Sequence, residues 1–338
     1  MHVDAARSVP WVGPAFPSTL TVSGRGSNYD WAMDPVVRRT TGREDEALSL
    51  AIYNEVWPQS AITFDEVESF KASTLAYSDS LAEIDGLTVG SAFVAIQPQR
   101  PELGYGAVTV LESYRRRGAG AALYRDISAW CAERGLDTFE ARMEADDEES
   151  LELVLRHGFT EIGRDTRMVL DLTTIDAPPL QAPPGIDVVT WAERPDLARG
   201  MYDVAVDAYP DVPGSADDAM EPFEEWLAHD LQGSADRPEA TFVALAGEEV
   251  VGYSKFFLTA AQPTMASHDM TGVKRAWRGR GVAGALKRAS IAWAKANGYE
   301  RLVTSNELRN EPIRRLNARL GYREAPGHVT VRGPLSVG

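Results

Sequence analysis

Arg278-Gly279-Arg280-Gly281-Val282-Ala283-Gly284-Ala285-Leu286 repeats, 163 residues further on, the stretch Arg115-Arg116-Arg117-Gly118-Ala119-Gly120-Ala121-Ala122-Leu123. With no gap, the same offset carries Val110 onto Val273, Trp130 onto Trp293, Gly135 onto Gly298 and Gly158-Phe159 onto Gly321-Tyr322. Gly and Trp matches at one fixed period mark two copies of a single folding unit. In each copy the best-matched part is a Gly/Arg loop that opens a long helix. The first N–H groups of a helix lack intrahelical partners, and its dipole is positive there. Such a loop is expected to take a phosphate, with glycines admitting it to the backbone and arginines adding charge-assisted hydrogen bonds.

Outward from the loop, the two copies read alike. A short strand (36–39; 188–190) leads into helical patterns at 45–56 and 197–208. A strand pair follows at 81–96 and 241–258, with glycines at Gly86 and Gly90 or Gly247 and Gly252 placed in the turn. Next come a strand (106–111; 269–273), the loop, and a helix over 118–134 or 281–297 that stops at Gly135 or Gly298. A further strand (138–142; 301–304), a helix ending at Gly158 or Gly321, and closing strands complete the unit. The expected class is α/β (α+β): two tandem domains, each a mixed, mostly antiparallel sheet flanked by helices. Four prolines in Ala177-Pro178-Pro179-Leu180-Gln181-Ala182-Pro183-Pro184-Gly185 make 177–185 a linker. The expected domains are 34–176 and 186–338, and residues 1–33, which have no counterpart in the second copy, read as an N-terminal extension.

Composition narrows the partners. No apolar run approaches membrane-spanning length and no secretory leader is recognisable, so a cytoplasmic protein with no membrane partner is expected. The single cysteine, Cys131, reads as a buried small hydrophobe. A net charge of −16 argues against nucleic acid and favours amine partners. The local exception is Lys274, Arg275, Arg278, Arg280, Lys287 and Arg288, a run without an acid that suggests a small polyanionic ligand. Histidines are scattered without ligand spacing, so no metal is expected. The oligomeric state is not legible.

Gly279-Arg280-Gly281-Val282-Ala283-Gly284 formally satisfies the dinucleotide fingerprint G-x-G-x-x-G. Lys274 to Arg278 separate those glycines from the strand, however, and the first copy has Arg116 and Ala121 where the first and third glycines belong. Both copies instead keep Arg-x-x-Gly-x-(Gly/Ala): Arg115, Gly118, Gly120 and Arg278, Gly281, Ala283. That pattern, between a strand and a long helix, resembles the GCN5-related N-acetyltransferases. In the second half, Asn310-Glu311-Pro312 through Leu320-Gly321-Tyr322 is similar to the family's second motif, an asparagine opening a helix that ends in Leu-Gly-Phe/Tyr. The resemblance implies acetyl-CoA as cosubstrate. Backbone around Val273 would take pantetheine, residues 278–283 (Arg278, Gly279, Arg280, Gly281, Val282, Ala283) with Gly284 the pyrophosphate, and Asn310 a further contact. Val110, Arg115, Gly118 and Gly120 are the first-half equivalents.

Acetyl transfer to an amine is helped by a base and by fixed donors for the oxyanion. In the resembled family the base often projects from the strand before the loop, here Ser267-His268-Asp269-Met270-Thr271-Gly272-Val273. Alternation puts Ser267, Asp269 and Thr271 on one face and His268 on the other, so Asp269 is the better-placed base and His268 its rival if the strand bulges. Glu307 is a further candidate acting through water. The first half has Gly104, Tyr105 and Gly106 before its loop and Asp147 in place of Asn310, so the second half is expected to be catalytic. Where the family often has a tyrosine acid for the thiolate, the halves carry Val154 and Asn317, neither of which supplies a proton. Tyr202, Tyr209, Asp211, Glu224, Glu225 and Trp226 precede the second sheet, where an acceptor pocket for a small-molecule amine is expected. The expected function is acetyl-CoA-dependent N-acetyl transfer to a primary amine by direct attack in a ternary complex. The alternatives are a non-catalytic acyl-CoA-binding protein and, through the fingerprint, a nicotinamide oxidoreductase.

Overall fold

A computed structural model describes residues 34–211 and 220–335; the extension expected at 1–33 lies outside the described residues. The chain divides into two compact units, one of residues 34–164 with 326–335 among those described, the other of Asp165–Ala325.

In the first unit, antiparallel pairing runs through β1 (Val36–Arg39), β2 (Ala76–Ile84), β3 (Leu87–Gln97) and β4 (Arg100–Val110). β4 then pairs in parallel with β5 (Thr138–Glu144), which is joined antiparallel by the C-terminal strand β12 (Arg323–Pro334). Helix α1 (Arg43–Val56) lies on one face with α2 (Phe64–Ala72) near it. Helix α3 (Ala119–Ala132) covers the other, burying Leu123, Ile127 and Cys131 completely or nearly so. Each such aliphatic side chain contributes roughly 1.5–3 kcal/mol of transfer free energy. Helix α4 (Glu148–Arg156) precedes β6 (Thr160–Asp171). Sequence periodicity overlooks α2, although Thr63 and Glu66 form a reciprocal capping box that announces it.

The second unit repeats the plan. β7 (Asp187–Thr190), β8 (Thr241–Ala246), β9 (Glu249–Phe257) and β10 (Met265–Val273) pair antiparallel in that order. β10 pairs in parallel with β11 (Arg301–Glu307), and residues 165–171 of β6 close the unit antiparallel to β11. Helix α7 (Val282–Ala296) packs on one face, burying Leu286 and Ile291. The other face carries α5 (Ala198–Ala208) and the short α6 (Phe223–Trp226), which widens into a π turn over Leu227–Leu231. Helix α8 (Glu311–Arg319) follows β11. Each unit is therefore a mixed sheet with helices on both faces, as the repeat implies.

The repeats and the compact units do not coincide. The closing strand of each sequence repeat completes the unit built mainly from the other repeat: β12 pairs β5, and β6 pairs β11. Accordingly the contact boundaries fall at 164/165 and 325/326 instead of in the linker. Residues 177–185 form neither helix nor strand and run beside α7, where the Gln181 carbonyl accepts from Arg288 Nη2 at 2.9 Å. Of the paired glycines placed in a turn, only Gly86 and Gly247 occupy one. Gly90 and Gly252 lie inside strands, where a Cβ on Gly252 would sit 2.9 Å from the Gly272 carbonyl and 3.3 Å from Leu286.

Candidate active site

β10 and β11 are paired only as far as His268 and Thr304. Beyond that point β10 continues to Val273 along β9, and β11 continues to Glu307 along β6. The two strands part, and the β10 backbone groups that face the fork beyond His268 lack a strand partner. A cavity of about 1060 Å³ opens there, bounded by β10, the Gly/Arg loop with the first turn of α7, the start of α8, and the α5–α6 side.

The loop reaches α7 through two left-handed residues, Gly279 (φ 74°) and Gly281 (φ 87°). The first helical bond is Ala285 N–H to the Gly281 carbonyl, which leaves the N–H groups of Val282, Ala283 and Gly284 unclaimed at the cavity wall. The first half has the same path, with Arg116 (φ 64°) and Gly118 (φ 88°) left-handed. Steric clearance for a ligand is not what Gly281 supplies. Its missing Cβ would point at Pro183, 3.3 Å away, so the residue type follows from φ and from the linker lying against it.

The arginines are largely engaged within the protein. Arg278 Nε donates to the Val273 carbonyl at 3.0 Å, and its first-half equivalent Arg115 donates to Val110 O at 3.3 Å. The arginine shared by both loops thus ties each loop back to its strand. Asp211 bridges Arg275 Nε (2.8 Å) and Arg278 Nη1 (2.5 Å), Lys274 pairs with Glu249 at 2.9 Å, and Arg288 holds Gln181. Among the described residues, Arg280, stacked 4.8 Å from the Trp277 ring, is the loop arginine that stands clear of an acid or carbonyl. The expectation of a basic loop is qualified accordingly: three of the run's six cations, Lys274, Arg275 and Arg278, are paired with acids, so backbone N–H groups and the helix end carry much of the anion affinity.

β10 bulges between His268 and Met270, and the bulge decides which side chains face the cavity. Asp269 is the extra residue, and its Oδ2 lies 2.6 Å from Lys255 Nζ on the α5–α6 side. His268 turns to the α7 side, against Phe256 at 4.4 Å between ring centres, with Nε2 2.9 Å from Tyr322 Oη. Thr271 joins that side too, 3.1 Å from Ser254 Oγ. The expected face shared by Ser267, Asp269 and Thr271 does not survive, because the bulge resets the alternation. Burial, with Lys287 nearby, holds the His268 imidazole well below its usual range; the ring lies on the face opposite Asp269, buried, and contributes to the cavity wall from there. The strand bulges as that expectation requires, yet His268 stays on the side opposite Asp269.

Glu307 lines the cavity but is clamped by Arg309, accepting from its backbone N–H (2.7 Å), Nε (3.0 Å) and Nη2 (2.8 Å). Burial raises its pKa, but the Arg309 hydrogen bonds outweigh that and leave it below the usual range. Asn310 is the N-cap of α8, yet its side chain makes no capping bond and lines the cavity. Asn317 is fully buried, with Nδ2 donating to Asn306 Oδ1 at 2.9 Å. Of the acceptor-side candidates, Tyr209, Asp211 and Trp226 line the cavity. Tyr202 instead packs on Trp226 and donates to Glu221 O at 2.7 Å, and Glu224 and Glu225 are exposed away from it.

Sequence reading missed the group at the centre of this wall. Lys255, 2% exposed on β9, holds Asp269, Asp236 (2.9 Å) and Asp230 (3.6 Å, and by its carbonyl) around one ammonium. A lysine inside the apolar run 250–258 was the available signal. Nothing in the sequence singles out Asp230. Lys287 was read as part of a basic loop but is 1% exposed on α7, where burial lowers it to about 7.

The first half lacks this equipment. β4 and β5 also part after a short parallel contact, but a Cβ at Gly106, the Asp269 position, would lie 2.1 Å from the Phe93 carbonyl, so no side chain can stand there. Asp147, in the Asn310 position, is spent capping α4 through Ser150 N–H at 3.1 Å. On its α1–α2 side a cavity of about 40 Å³ remains among Tyr53, Phe70, Tyr77 and Phe93.

A forked parallel strand pair with a left-handed glycine loop at its mouth defines a class, and the profile of the Acetyltransferase (GNAT) family matches the chain twice, over residues 46–159 and 198–322. The chain belongs to that family, in a tandem arrangement. It is similar in fold to a GCN5-related N-acetyltransferase from Sphaerobacter thermophilus, with a TM-score of 0.70, 21% identity, and coverage of 90% of this chain and 97% of that one. A tandem GNAT protein from the clavulanic acid biosynthesis pathway is similar too, with a TM-score of 0.69, 17% identity, and coverage of 90% and 99%. No curated protein matches the chain. Membership supports acyl-CoA-dependent acetyl transfer in general terms and sets aside the nicotinamide reading. Among the described residues no helix is long and apolar enough to cross a membrane, and no group of His, Cys, Asp and Glu could hold a metal.

Proposed function

We propose that the second half is an acetyl-CoA-dependent N-acetyltransferase acting on a primary amine of a small molecule by direct attack in a ternary complex, in the cytoplasm. The observation that carries this reading is the fork itself: one cavity joins an uncompensated helix N-terminus to a carboxylate wall. Acetyl-CoA would place its pyrophosphate on the N–H groups of residues 281–284, with Arg280 beside it, and run its pantetheine along the open edge of β10 towards Val273. Asn310, with no capping duty, would close the cofactor side. The thioester would then lie near the bulge, and backbone N–H groups in the fork would stabilise the oxyanion.

The amine would enter from the α5–α6 side, where Trp226, Tyr253 and the carboxylates offer an aromatic, anionic wall. Asp269 is the best placed of the three residues proposed from sequence, since His268 is buried against Phe256 with Nε2 on Tyr322 Oη and Glu307 is held by Arg309. With Asn317 buried, the leaving thiolate departs without a side-chain acid and takes its proton from water, which a thiol pKa near ~8.5 permits. The first half is proposed to shape the protein without catalysis, given its blocked Gly106 position. The test is thiol release from acetyl-CoA across a panel of primary amines. Turnover supports the transferase. Tight acetyl-CoA binding with no turnover on any amine favours the non-catalytic alternative, which the missing acid and the unassigned base motivate.

A further inference from the structure

The three carboxylates around Lys255 are not equivalent, and the difference bears on the proton transfer. Asp236 is 8% exposed and has both oxygens committed, Oδ1 to Lys255 at 2.9 Å and Oδ2 to the Gly233 N–H at 2.9 Å. Asp269 is 13% exposed and has one oxygen fixed at 2.6 Å from the same ammonium. Asp230 is the loose one. Among the described residues its carboxylate has no partner closer than Tyr253 Oη at 3.4 Å and Lys255 Nζ at 3.6 Å, and its side chain keeps 24% of its surface open. It also lines the cavity beside Asp269, whereas Asp236 does not. What brings it there is the π turn Leu227–Leu231: the widened turn places Asp230 towards the sheet while its carbonyl accepts from Lys255. Single π turns inside helices recur at functional sites.

Resting on the transferase reading, we infer that Asp230 is the proton acceptor for the attacking amine, and that Lys255 and Asp269 are positioning residues that hold the acceptor wall in place. The neutral amine attacks the thioester carbonyl, forming C–N while the C=O pair moves to oxygen. Reformation of C=O breaks C–S, and the electron pair leaves on sulfur. The surplus N–H proton passes to Asp230, water protonates the thiolate, and Asp230 discharges its proton to solvent through its open edge.

The surroundings suit that role. The charged and titratable groups that face Asp230 are Lys255 and Tyr253 from β9, Asp269 from β10, Asp236 from the loop before β8, and the neighbouring His229–Glu221 pair. Burial raises the Asp230 carboxyl, Lys255 opposes this, and Asp269 and Asp236 raise it again, leaving it at about 6. A base poised there is ionised at neutral pH and still strong enough to accept a proton.

The experiment is the pH dependence of kcat/KM for thiol release from acetyl-CoA, with 2-phenylethylamine and 1,4-diaminobutane as probe amines, in wild type, Asp230→Asn, Asp230→Glu and Asp269→Asn. Wild type should lose activity on the acid side with a midpoint near 6. Asp230→Asn should lose about 10²–10⁴-fold at the optimum and lose that acid limb, and Asp230→Glu should restore the limb. Asp269→Asn should keep the limb and act chiefly on KM. An acid limb that persists in Asp230→Asn but disappears in Asp269→Asn overturns the assignment while leaving the transferase standing. No wild-type turnover of either amine at any pH overturns both. Thermal denaturation at each pH separates misfolded variants from inactive ones.

Discussion

Replacing Lys255 by Met should cost this protein more stability than almost any other single change of equal size. Met keeps most of the apolar stem, so packing changes little, and the perturbation is the loss of one ammonium at a site 2% exposed. What remains is three carboxylates, at 8%, 13% and 24% side-chain exposure, facing one another without a cation. Removing one member of a buried ion pair costs about 3–5 kcal/mol, because the partner charge is left uncompensated. For a unit the size of Asp165–Ala325 that corresponds to a fall in Tm of roughly 6–20 °C. The cost depends on pH. Burial raises Asp230 and Asp236 above their unfolded values even in the wild type, Asp230 to about 6. A raised carboxyl contributes stability that is complete below the unfolded pKa, near ~4, and is lost as pH rises through the folded value. Without Lys255 both groups are raised further, so the deficit should be small at pH 5 and full at pH 8. Scanning calorimetry at the two pH values reads this directly. A fall of less than about 2 °C at pH 8, or an equal fall at pH 5, would refute the picture of one lysine neutralising a buried acidic cluster.

Three further outcomes are expected. Gly281→Ala forces a left-handed backbone on a β-carbon and presses on Pro183, so acetyl-CoA binding should weaken by about tenfold or more, whereas Gly118→Ala should leave the affinity unchanged. Equal effects from both, by calorimetric titration, would contradict the assignment of the cofactor to the second half. Lys287 is buried and lowered to about 7, so as pH falls from the unfolded value near ~10.4 towards 7 the native state forgoes a proton and loses stability. Lys287→Met should therefore raise Tm at pH 7, with the gain vanishing by pH 10.5, and a lower Tm at pH 7 would show that the ammonium is engaged. Tyr322→Phe leaves His268 Nε2 buried without its partner and should cost about 1–3 kcal/mol in urea unfolding; no loss would mean that this hydrogen bond is not made.

Much of this was legible because glycines and periodicity report the backbone. The 163-residue echo, the helices after Gly118 and Gly281, and their stops at Gly135 and Gly298 are local events, each tied to a left-handed residue or a helix end. The exchange of closing strands was not legible, since β6 and β12 have the same alternating pattern whichever sheet they join. The catalytic wall failed for a different reason. A β-bulge adds one residue without a sequence mark, and it reversed the side on which Thr271 lies. Charge was misjudged by counting cations along the chain when their acids, Asp211 and Glu249, come from distant segments. Asp230 reaches the cavity through a π turn, and neither periodicity nor spacing marks that position.

The most direct test of the account is a calorimetric titration of acetyl-CoA into the full chain, repeated on Gly281→Val. One saturable site is expected in the wild type and none in the variant, with the fold intact by circular dichroism. No binding to the wild type, or one site that survives Gly281→Val, would contradict the claim that the fork in the second half is where the cofactor binds.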